Sequence, residues 1–117
     1  MDIQPGKAQV ELSLLEEMSV DASGLIHGGF IFAAADYAAM LAVNEPNVVL
    51  SSAQTRFLRP SQIGDTLQFI AHIERSDGRK HAVAVQGLDA QQTVVFEGQF
   101  ECVVPSRHVL EPRPRQA

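Results

Sequence analysis

The chain has 117 residues, 45% of them apolar and 20% charged, with nine Lys+Arg against fourteen Asp+Glu and a formal net charge of −5. That length allows one domain and excludes a two-domain enzyme. The composition excludes a disordered, collagen-like or membrane-embedded chain, and the negative balance argues against a nucleic-acid partner, which calls for a positive field. A single cysteine excludes an intrachain disulfide scaffold and fits a reducing compartment, so a cytoplasmic location is expected.

The opening MDIQPGKAQ has no apolar h-region, so no signal peptide is expected, and Pro5-Gly6 marks residues 1–7 as a flexible start. Residues 8–15 place Ala8, Val10, Leu12 and Leu14 on one face and read as a strand. Residues 19–26 carry Asp, Ser and Gly and read as a loop. Residues 28–44, GGFIFAAADYAAMLAVN, read as a helix that stops at Asn44 ahead of Pro46. It is apolar nearly all round, the mark of a helix covered on most sides, and at this length with an internal aspartate it is not expected to insert in a membrane.

The rest is strand-like. Residues 47–58 end at Arg59-Pro60. Residues 65–75 alternate, with Leu67, Phe69, Ala71 and Ile73 on one side and Gln68, His72 and Glu74 on the other. Asp77-Gly78 signals a hairpin into residues 79–88, and Asp89 to Gln92 signals a second turn. Residues 93–104 place Val94, Phe96, Phe100, Cys102 and Val104 on one face. The proline-rich stretch 105–117 reads as an irregular tail. The fold class is therefore α+β, in the order β-α-β-β-β-β. One long helix covers a mostly antiparallel sheet of five to six strands across a single domain, residues 8–104.

Asp36 is the most informative residue. Its helical neighbours at three and four positions are Phe32, Ala33, Ala39 and Met40, none of which can pair with a carboxylate. A carboxylate in such a place either finds a donor from another element or works as an acid, base or nucleophile. His27-Gly28-Gly29 opens the same helix. Amides there, backed by the helix dipole, suit a carbonyl oxygen or oxyanion, although a glycine turn feeding a helix has the same pattern. Gly29 and Asp36 are seven residues apart, about 10 Å along the axis at 1.5 Å per residue. Groups that far apart cannot flank one carbonyl carbon. If they cooperate, two antiparallel copies of the helix must lie side by side, in a homodimer or larger assembly with equivalent sites.

His27, His72, His81 and His108 show no metal-ligand spacing with Cys102, so no metal is expected. Cys102 reads as an inert core thiol. Ser51 is a strand serine that could orient a water or a carboxylate. Arg56, Arg59, Arg79 and Lys80 could meet the phosphates of an anionic ligand or merely guard a strand edge.

The run GLIHGGFIFAAADYAAMLAVN, with an acidic residue nine positions after His27, followed by Phe57 to Asp65 (FLRPSQIGD), resembles the hotdog-fold acyl-CoA thioesterases of the phenylacetic-acid-degradation, PaaI-like, type. The likeness covers roughly residues 8–104. It implies a hotdog fold, pairing into dimers or tetramers, and hydrolysis of an acyl-CoA thioester to free acid and coenzyme A. No cofactor is implied beyond the coenzyme A of the substrate. By resemblance, Asp36 activates water or attacks the thioester carbonyl, and an amide at Gly28 or Gly29 of the other subunit, beside His27, polarises that carbonyl. Ser51 matches a helper serine of some members. Phe32, Tyr37, Met40, Phe57 and Arg59 are candidates to line the substrate pocket. Many members carry asparagine where this chain has Asp21; an aspartate only accepts hydrogen bonds when ionised and adds a negative charge near the site. That departure motivates a second expectation, a noncatalytic acyl-CoA or acyl-lipid binding protein on the same scaffold. A purely structural dimer and a hotdog dehydratase are the remaining readings.

Overall fold

The computed structural model describes residues 2–19, 24–26 and 28–106. Asp21, His27 and the tail from residue 107 lie outside the described residues, so their expected roles are not addressed by it.

Strands form where the sequence alternates: β2 (Lys7–Ser13), β3 (Val49–Phe57), β4 (Thr66–Asp77), β5 (Lys80–Leu88) and β6 (Val94–Val103). Residues 2–4, placed ahead of the domain by the sequence reading, form a short strand β1 (Asp2–Gln4) that folds back on β2. The one α-helix among the described residues, α1 (Gly28–Val43), stops where expected: Asn44 takes φ 53°, and its N–H donates to the Met40 carbonyl at 2.9 Å. All pairings are antiparallel, in the order β1-β2-β4-β5-β6-β3. The β4–β5 hairpin turns through Gly78 at φ 62°, a conformation open to glycine at the position a two-residue hairpin demands.

The expected inner face holds. Ala8 and Val10 from β2, Leu14 just past it, Leu67, Phe69 and Ala71 from β4, and Val83 and Val85 from β5 are buried. β6 departs from its simple alternation. A register shift opposite Gly87/Leu88 leaves Val94 half-buried and turns Val95 inward, after which Phe96, Phe100 and Cys102 return to the inner face. The helix meets this aromatic floor with Ile31, Ala35, Ala38, Ala39 and Ala42. Alanines let its backbone approach closely while large side chains come from the sheet. Room for them is made at Gly87, where a Cβ would lie 2.9 Å from the Phe69 ring. Each fully buried phenylalanine contributes about 1.5–3 kcal/mol, so Phe69, Phe96 and Phe100 anchor the domain.

Candidate functional site

Three contacts fix how α1 lies on the sheet. At its start, Gly28 faces the Phe57 ring, which sits edge-on to Phe96 with centroids 5.2 Å apart. One turn on, Phe32 lies over Phe100 with centroids 5.6 Å apart. Just past its end, Glu45 shares a cleft with His81 and Val104. The helix therefore runs in the same direction as β6, while packing chiefly on β2 and β4. Asp36 is one turn, about 6 Å, beyond Phe32, and Cys102 is two strand residues, about 6.6 Å, beyond Phe100. The carboxylate is near enough to Cys102 for its charge to act on that thiol.

Oδ1 of Asp36 is shut off from solvent and has no hydrogen-bond partner among the described residues. Burial pushes its carboxyl above the ordinary carboxylate value of 3.8. A carboxyl that holds its proton more tightly is a stronger base once ionised. Of the two readings open at the sequence level, a donor from another element is therefore not met at Oδ1, and a working group is favoured.

The other expected residues fall around this line. Phe32 and Met40 are half-buried and pack against the core, while Tyr37 is 50% and Phe57 51% exposed. Gly28 and Phe57 come together at the start of the helix. A Cβ at position 28 would meet the Phe57 ring only at 3.4 Å, an ordinary contact, so the fold of one chain does not require glycine there. Gly29 is exposed. Ser51 sits at the β3 bulge beside Leu50, the cross-strand partner of Cys102, and its hydroxyl donates to the Glu101 carbonyl at 3.0 Å. Arg59 is exposed and lines a cleft of about 350 Å³ with Ser61, Asp65 and Asp89. Both carboxylates accept from backbone amides there, Asp65 from Gln62 and Asp89 from Gln91 and Thr93. Cys102 is a fully buried free thiol, the core position that its parity on β6 predicted. Among the described residues no three His, Cys, Asp or Glu side chains group as a metal site would need, and no helix is long and apolar enough to cross a membrane.

The sequence pattern of the thioesterase superfamily matches residues 23–96. A protein of Aquifex aeolicus named methylthioribose-1-phosphate isomerase is 47% identical over 84% of this chain but only 21% of its own length. The transcription factor FapR of Caldanaerobacter subterraneus is 25% identical over 97% of this chain and 56% of its own length. The chain thus spans about a fifth to about half of these curated relatives. Among solved structures, an uncharacterized protein from Pyrococcus horikoshii is 50% identical, with a TM-score of 0.91 over 93% of this chain and 83% of the other. The PaaI protein from the phenylacetic acid degradation operon of Escherichia coli is 26% identical, with a TM-score of 0.81 over 87% of this chain and 75% of the other. One helix laid on a six-stranded antiparallel sheet agrees with these matches: the chain belongs to the thioesterase superfamily and is a hotdog domain of the PaaI-like kind.

Proposed function

We propose that this protein hydrolyses an acyl-CoA thioester to the free acid and coenzyme A, at a site shared between two copies of the chain. The observation that carries the reading is the buried, unpartnered Oδ1 of Asp36 at the middle of an otherwise apolar helix. Water attacks the thioester carbonyl carbon while Asp36 takes its proton, or the carboxylate itself adds and water later releases the acid. The oxyanion is met by the Gly28 or Gly29 amide of a second copy, since about 10 Å separates Gly29 from Asp36 within one helix. The C–S bond then breaks; in the first route the leaving thiolate takes back the proton held by Asp36, and in the second it takes one from solvent before water cleaves the acyl-Asp36 anhydride.

Two features support the pairing. The helix stripe Phe30, Ala33 and Tyr37 is exposed and carries no charge, as expected of a face that another chain covers. β3, nine residues long, lies at an edge of the sheet, with β6 as its only strand neighbour among the described residues. Glycine at position 28, unexplained by one chain, is accounted for by a substrate carbonyl approaching its backbone. A partner need not be identical in number of copies to two; a tetramer keeps the same paired site.

The second reading, binding of an acyl-CoA or acyl-lipid without turnover, is favoured by the likeness to a transcription factor over 97% of this chain and by Asp21. A hydrolysis panel of short, long and aryl acyl-CoAs separates the two. Thiol release by the native protein and its loss in Asp36→Ala support the enzyme. Saturable binding with no thiol release across the panel supports the sensor.

A further inference from the structure

We propose that Phe57 is a specificity-determining residue: its ring is the wall that the first carbons of the acyl group meet, and it selects straight acyl chains over chains branched next to the carbonyl. This deepens the proposed function and rests on its placing of the thioester oxygen at the Gly28 or Gly29 amide.

The position of the ring follows from the strand. Phe57 is the last residue of β3 and has the parity of Ala53, which packs against the core. Just beyond it the Leu58 N–H donates to the Val95 carbonyl at 2.9 Å, so the end of the strand is tied down. Beneath, the Phe96 ring meets Phe57 edge-on at 5.2 Å and Phe69 at 6.0 Å, and both lower rings are fully buried. The rings thus climb from the core to the surface, and the lower two fix the upper one. To its side, three successive atoms of the Phe57 ring lie 3.4–3.8 Å from where a Gly28 Cβ would stand.

Fixed in this way, the ring is nonetheless 51% exposed. Packing on Phe96 accounts for its inner half only. The outer half is an apolar surface beside a backbone bare of side chains, and an apolar group of the substrate that covers it removes it from water. The reach is short. A carbonyl oxygen accepting from the amide sits about 2.9 Å from the nitrogen, and the first acyl carbon is two bonds further. The ring therefore stands at the first carbons of the acyl group and not at its far end. A wall there discriminates by branching, whereas a wall at the far end would discriminate by length.

Butyryl-CoA and isobutyryl-CoA contain the same atoms and differ only in branching next to the carbonyl. Their kcat/KM ratio is measured for the native protein, Phe57→Ala and Phe57→Leu. The native protein should prefer the straight isomer. Alanine should shift the ratio toward the branched isomer by about tenfold, and leucine by less. The same two ligands are titrated calorimetrically into Asp36→Ala with and without Phe57→Ala, which reads the selectivity as a Kd ratio in the absence of turnover. Circular dichroism and light scattering follow folding and assembly, and leucine keeps an apolar side chain should alanine fail to fold. Ratios that stay at the native value in every folded variant overturn the inference, even if the assembly weakens, because the ring then serves packing alone. A shifted Kd ratio with no thiol release from any acyl-CoA upholds the inference and removes only the enzymatic reading. Turnover with an unmoved ratio does the reverse. Neither binding nor thiol release with any acyl-CoA overturns both.

Discussion

The two faces of the sheet treat carboxylates in opposite ways. On the outer face a groove of about 540 Å³ is lined by Arg56, His72, Glu74, Glu97 and Gln99. There Glu97 Oε1 lies 3.3 Å from Arg56 Nη1, and Glu74 Oε2 accepts from Gln99 Nε2 at 2.8 Å. His72 Nε2 is 4.0 Å from the other oxygen of Glu74. These charges stand in water and have donors. On the inner face Asp36 has neither at Oδ1. A paired, hydrated carboxylate gains little on taking a proton, whereas an unpaired, desolvated one holds it tightly, so chemistry is expected beneath the helix and not in the larger outer groove.

The sharpest way to break that contrast is Asp36→Ala, which should lower acyl-CoA hydrolysis by three orders of magnitude or more, measured as thiol release, while far-UV circular dichroism is unchanged. Unaltered turnover would end the role of Asp36. Next in size, Phe100→Ala removes the ring beneath Phe32 and should cost about 3–5 kcal/mol in urea unfolding, far more than any single change in the outer groove.

Asp36→Asn sharpens the contrast in the opposite direction, giving a less active but more stable protein. Because the folded carboxyl is raised above 3.8, the fold favours its protonated form. That contribution is full below the unfolded value and is lost as pH rises through the folded one. The stability advantage of the asparagine variant over the native chain should therefore grow from about pH 3.5 upward and level off above the folded value, with a Tm a few degrees higher at pH 7, read by thermal scans across that range. A constant difference at all pH would mean that Asp36 is not strained by burial. The smallest effect belongs to Glu97→Gln. Its Arg56 partner has a side chain 74% exposed, and the change should cost about 0.5 kcal/mol or less and leave hydrolysis untouched.

Much of this was legible in the residues. Alternation in 65–75 set Leu67, Phe69 and Ala71 on one face, which is the buried one, because a strand's two faces are set by parity alone. Asn44 before Pro46 ended the helix because few other residues accept a left-handed turn there. Asp36 stood out because a carboxylate among alanines is costly wherever the helix is packed. Parity failed at Val94 and Val95, where a bulge adds a residue to one strand without any local mark in the sequence. It also gave no notice of β1, whose three exposed residues are ordered only by pairing with β2.

The sequence by itself thus determined which elements form, which faces they bury and that the helix carries a carboxylate without a local partner. These are consequences of short-range sterics and hydrophobic periodicity. Only the tertiary structure decided that the helix packs chiefly on β2 and β4, that it sets Phe32 over Phe100, and that the stripe of Phe30, Ala33 and Tyr37 is left exposed by one chain. The direction of a helix across a sheet depends on how alanines and phenylalanines from distant segments interlock, and no spacing within one segment contains that information.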